Sequence, residues 1–352
     1  MWSILSGCAV PQYNDRQTFS RAIRMLVYLR PFVVLGTVPA FSYFAGPAGP
    51  LLTVALILLL LMGAEAVSRR GPPPAPGARA MYRLLPVIYV PLQLLAILWA
   101  AAAAQRAGGL GFVSLMLAIG VTTGVFGVLC AHELVHGHGR LRHALGTLML
   151  TAMCYRHFRI AHIHGHHRHA GTARDSATAR LGESFYGFLV RTVPGQFLEA
   201  WRHERHRAAR RGWRANRVTG DILATAAALA AIGLVAGGRG ALFFAGQSIV
   251  GVIVLELFNY VAHYGLARAP GERFAARHSW NSGNVLANTL IFNMGRHSDH
   301  HRRPAAPFQE LRHERDAPEL PAGYAGSILL ALVPPLWRRI MDPAAMRAAA
   351  RA

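Results

Sequence analysis

The chain has 352 residues, of which 53% are hydrophobic and 15% are charged, and its mean hydropathy is +0.28. This composition is too apolar for an ordinary soluble enzyme and indicates a membrane protein. The net charge of +21 comes from 37 basic against 16 acidic residues, and every basic residue is arginine. Such an excess is also typical of nucleic-acid binding, but the apolar segments argue against that class.

Cysteine usage and the N-terminus give little further information. Cys8, Cys130 and Cys154 form no CxxC pair, so the sequence predicts neither a disulfide framework nor a thiolate metal site. The N-terminal sequence MWSILSGCAVPQYNDR reaches polar residues early, and we expect no signal peptide there.

Six segments are candidates for membrane-spanning helices, each of which needs about 20 mainly apolar residues. Glu65 lies near the end of the second segment and Glu256 lies within the sixth. An ionisable residue inside such a segment indicates function unless it faces a polar interior. In chain order the segments are residues 31–44, 51–67, 84–104, 109–131, 221–237 and 241–262.

The loops between these segments fall into two sets by charge. GPAGP, QRAGG and GRG follow the first, third and fifth segments and carry at most one arginine each. The N-terminal arm of residues 1–30, the loop 69–83, the stretch 132–220 and the tail after His263 are rich in arginine. The positive-inside rule makes this second set cytoplasmic. The sequence therefore predicts six crossings of a bacterial inner membrane, both termini in the cytoplasm, and a cytoplasmic helical cap that carries the histidines.

Two further apolar stretches are too short to span. ALGTLMLTAMCY from Ala144 predicts a re-entrant or interfacial helix, and SILLALVPPLW from Ser327 predicts an interfacial one. We expect an all-α integral membrane protein with one domain over residues 31–343 and a C-terminal tail of residues 344–352.

The first histidine motif follows the fourth segment directly. In HELVH, His132 and His136 are spaced i and i+4, so they project from one face of a helix and suit one metal ion. The same pattern is the zincin signature, in which the glutamate, here Glu133, acts as general base.

Three more motifs bring the number of clustered histidines to nine. HIHGHH has i, i+4 and i+5 spacing, with a pair on one helix face and a third histidine beside it; NYVAHYGL adds one, and MGRHSDHH adds three. Nine imidazoles are too many for one zinc ion and fit two ions with four or five nitrogen donors each, although iron, copper, nickel and zinc all accept imidazole. An open position facing an apolar cavity favours iron and O2 chemistry. The seven additional histidines are His162, His166, His167, His263, His297, His300 and His301.

The order HELVH, HIHGHH, NYVAHYGL, RHSWNS and MGRHSDHH resembles the membrane-bound alkane 1-monooxygenases, within the histidine-rich superfamily of integral-membrane desaturases and hydroxylases. RLGESFYGF, FQELRHERDAPELPAGY and LLALVPPLWRRIMDP are similar to that family too, so the likeness covers roughly residues 30–343. The resemblance implies a six-helix membrane enzyme with a dinuclear iron centre held by the nine histidines. It implies hydroxylation of a terminal C–H bond with O2, and electrons from a rubredoxin and its reductase.

Three positions depart from the family pattern. Ala161 and Ala262 stand where the family usually has glutamate, and Gly137 stands where lysine is common. The two alanines remove carboxylates that would orient ligating imidazoles. We therefore expect a divergent branch, in which the substrate is an alkane or another alkyl chain.

Other polar residues near the motifs have supporting roles in this interpretation. We expect Glu133, Asp299 and His157 to contact and orient the ligands. The remaining nearby histidines are expected to face solvent, and they are His138, His143, His164 and His169.

The basic stretch WRHERHRAARRGWR from Trp201 has two interpretations. It lies on anionic lipid headgroups, or it docks an acidic rubredoxin.

Alternatives to alkane hydroxylation remain open at this point. The same scaffold supports fatty acyl desaturation, oxidative decarboxylation or hydroxylation of an alkyl-aromatic methyl group. A membrane zinc metalloprotease would use only HELVH, and a metal transporter would need more polar residues along the spanning helices.

Overall fold

A computed structural model describes residues 26–68, 70–71, 79–211, 216–269 and 271–350. Within these ranges the protein is helical, and the only β contacts are isolated bridges. Most of the predicted N-terminal arm, most of the loop 69–83, the last part of the Trp201 stretch and the end of the tail lie outside the described residues.

Fourteen helices are described, and two π-helical turns, Thr123–Gly127 and Ala161–His166, connect four of them. Proline occupies the first turn of α1 and α2. Backbone N–H groups in that turn have no intrahelical acceptor, so the absence of an N–H in proline costs no hydrogen bond. The helices are α1 Arg30–Phe44, α2 Pro50–Val67, α3 Arg79–Ala104, α4 Gly109–Thr122, α5 Val128–His136, α6 Arg140–Ala152, α7 Phe158–Ile160, α8 His167–His169, α9 Phe185–Arg211, α10 Arg217–His263, α11 Val285–Leu290, α12 His297–Arg302, α13 Gly323–Ala331 and α14 Pro334–Ala350.

Five helical stretches are long and apolar enough to cross a membrane. The first four correspond to the first four predicted segments, whereas the fifth and sixth predicted segments are joined in the single 47-residue helix α10. The count of six crossings therefore stays a prediction. The five stretches are Val27–Phe44, Gly46–Val67, Met81–Ala104, Gly109–His136 and Arg217–His263.

Helix α10 reverses direction near its middle. A straight helix of 47 residues would be about 70 Å long, more than twice the hydrocarbon thickness of a bilayer. Ala236 and Gly237 have non-helical backbone angles, and Gly237 has φ +59°, which favours glycine. A Cβ atom built on Gly233 would lie 3.7 Å from the Cβ atom of Ala241, although these residues are eight positions apart. The two halves of α10 are therefore antiparallel, and the break lies slightly before the predicted GRG connection.

The ends and the middle of α10 lie at opposite ends of the bundle. The Arg239 guanidinium near the middle donates to the carbonyl oxygens of Ala104 and Ala107, in the turn between α3 and α4. Asp221 near the start pairs with Arg159, which precedes the HIHGHH motif, and His263 ends the helix among the other histidines. The reversal thus returns the chain to the end from which it started.

Close contact between α4 and the second half of α10 depends on small residues. A Cβ atom on Gly120 would lie 2.5 Å from the Cβ atom of Val250, and one on Gly124 would lie 2.6 Å from that of Val254. Glycines at this spacing allow apolar helices to approach closely inside a membrane. This contact holds the helix that leads into HELVH against the helix that ends in His263.

Non-spanning helices form the end of the bundle that carries the histidines. The predicted short helices exist as α6 and as α13 with α14, and one apolar core extends from Tyr28 to Ala345. The Glu65 carboxylate accepts hydrogen bonds from the backbone N–H groups of Ala325 and Gly326, in the first turn of α13. This glutamate therefore has a structural partner in the cap.

Buried ion pairs fasten α9 and the start of α10 to each other. The Glu204 carboxylate is fully buried and accepts hydrogen bonds from the guanidinium groups of Arg207 and Arg217. Burial opposes its ionisation, but these hydrogen bonds lower the pKa of Glu204 to about 2. The carboxylate therefore stays charged and holds α9 beside the region that carries HIHGHH.

Candidate metal centre

The structure brings all nine predicted histidines together in two groups. The nitrogen atoms that each group offers lie within 4.8 Å of one another. The first histidine group is His132, His136, His162, His167 and His300, and the second histidine group is His166, His263, His297 and His301.

The Nε2 atoms of the first histidine group converge. The Nε2 atom of His162 lies 2.8 Å from that of His132 and 2.9 Å from that of His167. The Nε2 atom of His167 lies 3.1 Å from that of His300. Four imidazoles from three separate motifs thus point the same nitrogen at one small volume.

The second histidine group converges in the same way. The Nε2 atom of His297 lies 3.1 Å from that of His263 and 3.2 Å from that of His301. The His166 ring is 4.7 Å from each of the rings of His263 and His301. The reversal of α10 supplies His263 to this group.

A π-helical turn decides how HIHGHH is divided between the groups. The backbone N–H of His167 donates to the carbonyl oxygen of His162, five residues back. One turn therefore contains more residues than an α-helical turn. The α-helical spacing predicts His162 and His166 as a pair on one face, and their rings stack with centroids 5.3 Å apart. They nevertheless belong to different groups, because His162 groups with His167, and His166 belongs to the second group.

The short helix α12 divides its histidines as well. His297 and His301 are spaced i and i+4 and join the second group, while His300 turns toward the first group. In HELVH the predicted i, i+4 pair stays together, and the rings of His132 and His136 are 4.7 Å apart. Each group is thus assembled from residues distant in the chain.

Five of the nine histidines, all outside the spanning helices, are uncharged at neutral pH. Burial lowers their pKa well below the ordinary 6.5, and the neighbouring imidazoles lower it further. The neutral imidazole is the form that ligates a metal ion. These residues are His162, His167, His297, His300 and His301.

A carboxylate that the sequence analysis missed contacts the second histidine group. The Nδ1 atom of His166 lies 2.8 Å from the Oδ2 atom of buried Asp175, which also accepts a hydrogen bond from Thr178. Burial opposes ionisation of Asp175, but the interaction with His166 lowers the pKa of this carboxyl. One signal was present in the sequence, since Asp175 is one of two acids, with Glu183, in the loop between HIHGHH and α9.

Glu133 and Asp299 contact other parts of the cap. The Glu133 carboxylate accepts a hydrogen bond from the backbone N–H of Phe308 and lies 3.8 Å from the Arg142 guanidinium. Asp299 pairs with Arg303 and accepts a hydrogen bond from the backbone N–H of Arg312. Both side chains therefore hold segments that surround the histidines, and none of these contacts is with an imidazole.

His157 and His164 lie outside both groups. The His157 ring packs between Tyr155 and Phe197, and burial lowers its pKa to about 4. The His164 ring stacks on His203, with ring centroids 4.4 Å apart. His138 and His143 are exposed and His169 is half-buried; these three also lie outside the groups.

Glu256 faces a polar interior. Its carboxylate is fully buried and accepts hydrogen bonds from Tyr155, Thr192, Gln196 and Asn259. These neutral donors come largely from the cap. The glutamate thus links α10 to α9 inside the bundle.

An apolar cavity of about 70 Å³ lies next to the second histidine group. Its wall comes from α2, from the π turn and α5, from the second half of α10, and from the α13 region. Phe258 belongs to this wall, and its ring centroid is 5.5 Å from that of His297. The cavity and the imidazoles are therefore separated by one side chain at this point.

A groove of about 670 Å³ lies on another side of the site. We call it the basic groove, because arginines and histidines dominate its walls, with Asp175 and Glu199 among the few acids. Through Asp175 the groove reaches His166. Its arginines are Arg168, Arg174, Arg180, Arg191 and Arg202.

Comparison with known proteins identifies the family. The fatty acid desaturase family model matches residues 107–328. Alkane 1-monooxygenase 1 of Pseudomonas aeruginosa is 42% identical over 275 residues, which are 74% of this chain and 72% of that protein. Alkane 1-monooxygenase 2 of the same organism is 38% identical over 317 residues, 84% of each chain. The hydroxylase component of xylene/toluene monooxygenase from Pseudomonas putida is 29% identical over 63% of this chain and 61% of its own length. With this similarity along most of its length, the chain belongs to the alkane 1-monooxygenase family.

Proposed function

We propose that this protein hydroxylates a terminal C–H bond of an alkane or a similar alkyl chain, using O2. The observation that carries the proposal is the convergence of nine imidazoles in two groups, with an apolar cavity one side chain away from the second group. Membership of the alkane 1-monooxygenase family supports the same reaction. A zinc protease using HELVH would leave the other seven histidines without a role.

The donor set fits two metal ions. A neutral imidazole nitrogen carries either one hydrogen or one lone pair. The Nε2 atoms of His162 and His297 each face two other imidazole nitrogens, so a hydrogen bond satisfies only one of them. The Nε2 atoms of His136 and His166 are buried without a hydrogen-bond partner among the described residues. A cation in each group would accept these lone pairs together.

We propose that the two ions are iron, held by the five histidines of the first group and the four of the second. Imidazole ligands suit iron as well as other transition metals, and the family resemblance favours iron. When bound, the irons would supply the activation of O2 and the transfer of one oxygen atom to carbon.

Asp175 orients one of these ligands. By accepting the Nδ1 hydrogen of His166, the carboxylate fixes the tautomer and leaves the Nε2 lone pair for the metal. Ala161 and Ala262 supply no carboxylate to orient a ligand, and Asp175 supplies one to His166 from a different part of the chain. Glu133, Asp299 and His157 act at a greater distance, through the packing of the cap.

The apolar cavity receives the alkyl chain. Its walls are mainly aliphatic and aromatic side chains from the bundle and from α13, so water gains little by entering. A chain held there would place one end at Phe258, next to His297.

We propose that rubredoxin and its reductase deliver the electrons, and that an acidic rubredoxin docks on the basic groove. The groove offers the exposed guanidinium groups of Arg168, Arg174, Arg180 and Arg202. Asp175 in its wall contacts His166, which gives a docked carrier a short approach to the second group. Arg202 belongs to the Trp201 stretch and lines the groove. The groove therefore supports rubredoxin docking as the role of this stretch.

We further propose six crossings of the bacterial inner membrane, with both termini and the metal centre on the cytoplasmic side, and one domain over residues 31–343. The reversal of α10 supports the sixth crossing. The distribution of arginine supports the orientation.

The reaction is tested with the purified full-length protein. We expect about two irons per chain and O2-dependent conversion of n-octane or n-dodecane to an alcohol in the presence of rubredoxin and its reductase, measured by metal analysis and gas chromatography. His166→Ala should lose iron and activity together, because it removes one of four nitrogens from the second group. His138→Ala, outside both groups, should keep both. One zinc per chain with peptide cleavage would contradict the proposal.

Asp175→Asn tests the orienting carboxylate. We expect metal affinity to fall roughly 10- to 100-fold, because the amide cannot hold the His166 tautomer as firmly. Competition with a chelator measures the affinity, and the exposed Asp316→Asn provides the control. Equal affinities for the two variants would rule out this role for Asp175.

The docking proposal is tested by reversing charge in the basic groove. Arg174→Glu combined with Arg202→Glu should raise the KM for rubredoxin roughly tenfold at low salt, because the attraction between the partners is lost. The kcat at saturating rubredoxin should stay the same. Arg106→Glu, in the turn at the opposite end of the bundle, is the control. An unchanged KM in the double variant, or the same rise in the control, would place the docking surface elsewhere.

Single cysteines in a cysteine-free background test the topology. A membrane-impermeant maleimide should label Gly238→Cys in intact spheroplasts, because the reversal of α10 is expected outside the cytoplasm. Ala173→Cys, in the basic groove, should react only after lysis. Labelling of both positions from the same side would refute the six-crossing arrangement.

A further inference from the structure

The ring of Phe258 stands between the apolar cavity and the metal centre. It lines the cavity, and it meets the His297 ring edge to face, at an interplanar angle of 76°. His297 belongs to the second histidine group, so this ring is the part of the cavity wall that contacts the site. An alkyl chain that advances from the cavity toward His297 meets this ring.

Tyr324 fixes the position of Phe258. The two rings stack with centroids 4.5 Å apart and an interplanar angle of 5°. Tyr324 also lines the cavity, and its hydroxyl donates to the carbonyl oxygen of Trp280 at 2.9 Å. Tyr324 is thus anchored at its far end, while Phe258 is held mainly by ring contacts.

The cavity is too small for an alkyl chain as it stands. Its volume of about 70 Å³ is less than half that of an engineered apolar cavity of roughly 150 Å³ that binds benzene. Part of the wall must therefore move when substrate binds. The helix backbones are poorly placed to do so, because Gly124 already packs against Val254 with no room for a side chain. Phe258 is half-buried, and rotation of its side chain would enlarge the cavity toward His297.

We propose that Phe258, stacked on Tyr324, is a specificity-determining gate that sets how far an alkyl chain advances toward the second histidine group. The inference rests on the proposed function for its substrate class. The gate selects both the length of chain that fits and the carbon that reaches the metal centre. A smaller residue at position 258 lets the chain slide past its terminal position, and a larger one shortens the usable cavity.

Phe258→Ala and Phe258→Leu test the gate in the full-length protein as purified. In the absence of an electron donor there is no turnover, and equilibrium dialysis with radiolabelled n-dodecane measures binding alone. We expect Phe258→Ala to bind n-dodecane roughly tenfold more tightly, because no ring has to be displaced. Phe258→Leu should show a smaller change in the same direction and covers the case in which the alanine variant fails to fold.

Product analysis gives the second readout. With rubredoxin and its reductase, Phe258→Ala should raise the ratio of 2-dodecanol to 1-dodecanol and shift the kcat/KM preference between n-octane and n-dodecane roughly tenfold. Phe112→Ala is the matched control, because Phe112 packs against Phe243 and Arg239 at the opposite end of the bundle. Its product ratio and alkane preference should stay as in the parent protein.

The two readouts separate this inference from the proposed function. Tighter n-dodecane binding by the Phe258 variants without any hydroxylation would support the gate and reject the reaction. Hydroxylation with binding and product ratios that do not respond to residue 258, or that respond equally to residue 112, would overturn the gate and leave the reaction standing.

Discussion

Nine imidazoles brought together inside the protein are the constraint on which the rest of this structure depends. Burying a polar group without a partner is costly, and the converging Nε2 atoms have too few hydrogens among them to pair with one another. The surrounding helices must therefore hold these nitrogens together against the preference of each for water. Two cations, as proposed, would remove the conflict, and the scaffold would then serve to fix their positions.

Ion pairs between carboxylates and arginines hold that scaffold together at one end of the bundle. Glu204 and Asp221 are buried carboxylates, and arginines from the cap and from the start of α10 surround them. Replacing one partner of such a pair leaves a buried charge, so these contacts fix the cap firmly to the bundle. The arginines that the composition associates with membrane orientation thus have a second role in positioning α9.

The sequence predicted which histidines would meet, because the motif spacings and the family resemblance agree on the same nine. It did not predict how they divide, since an α-helical period was assumed where the chain forms a π turn between Ala161 and His166. Asp175 was missed for a different reason: its contact with His166 depends on how an irregular loop folds back. The connection between the fifth and sixth segments was placed close to the observed break, because glycines mark it, but the exact residue depends on packing against Gln105.

The second histidine group lies between the two environments that the proposed reaction needs. His166 contacts Asp175 in the wall of the basic groove, and His297 contacts Phe258 in the wall of the apolar cavity. Neither Asp175 nor Phe258 is in contact with the first histidine group. His136 of that group lines a separate opening of about 530 Å³. The proposed charged carrier and apolar chain would therefore approach the same four imidazoles through different walls. The π turn contributes to this asymmetry, because His162 and His166 within it belong to different histidine groups and only His166 contacts Asp175 in the groove wall.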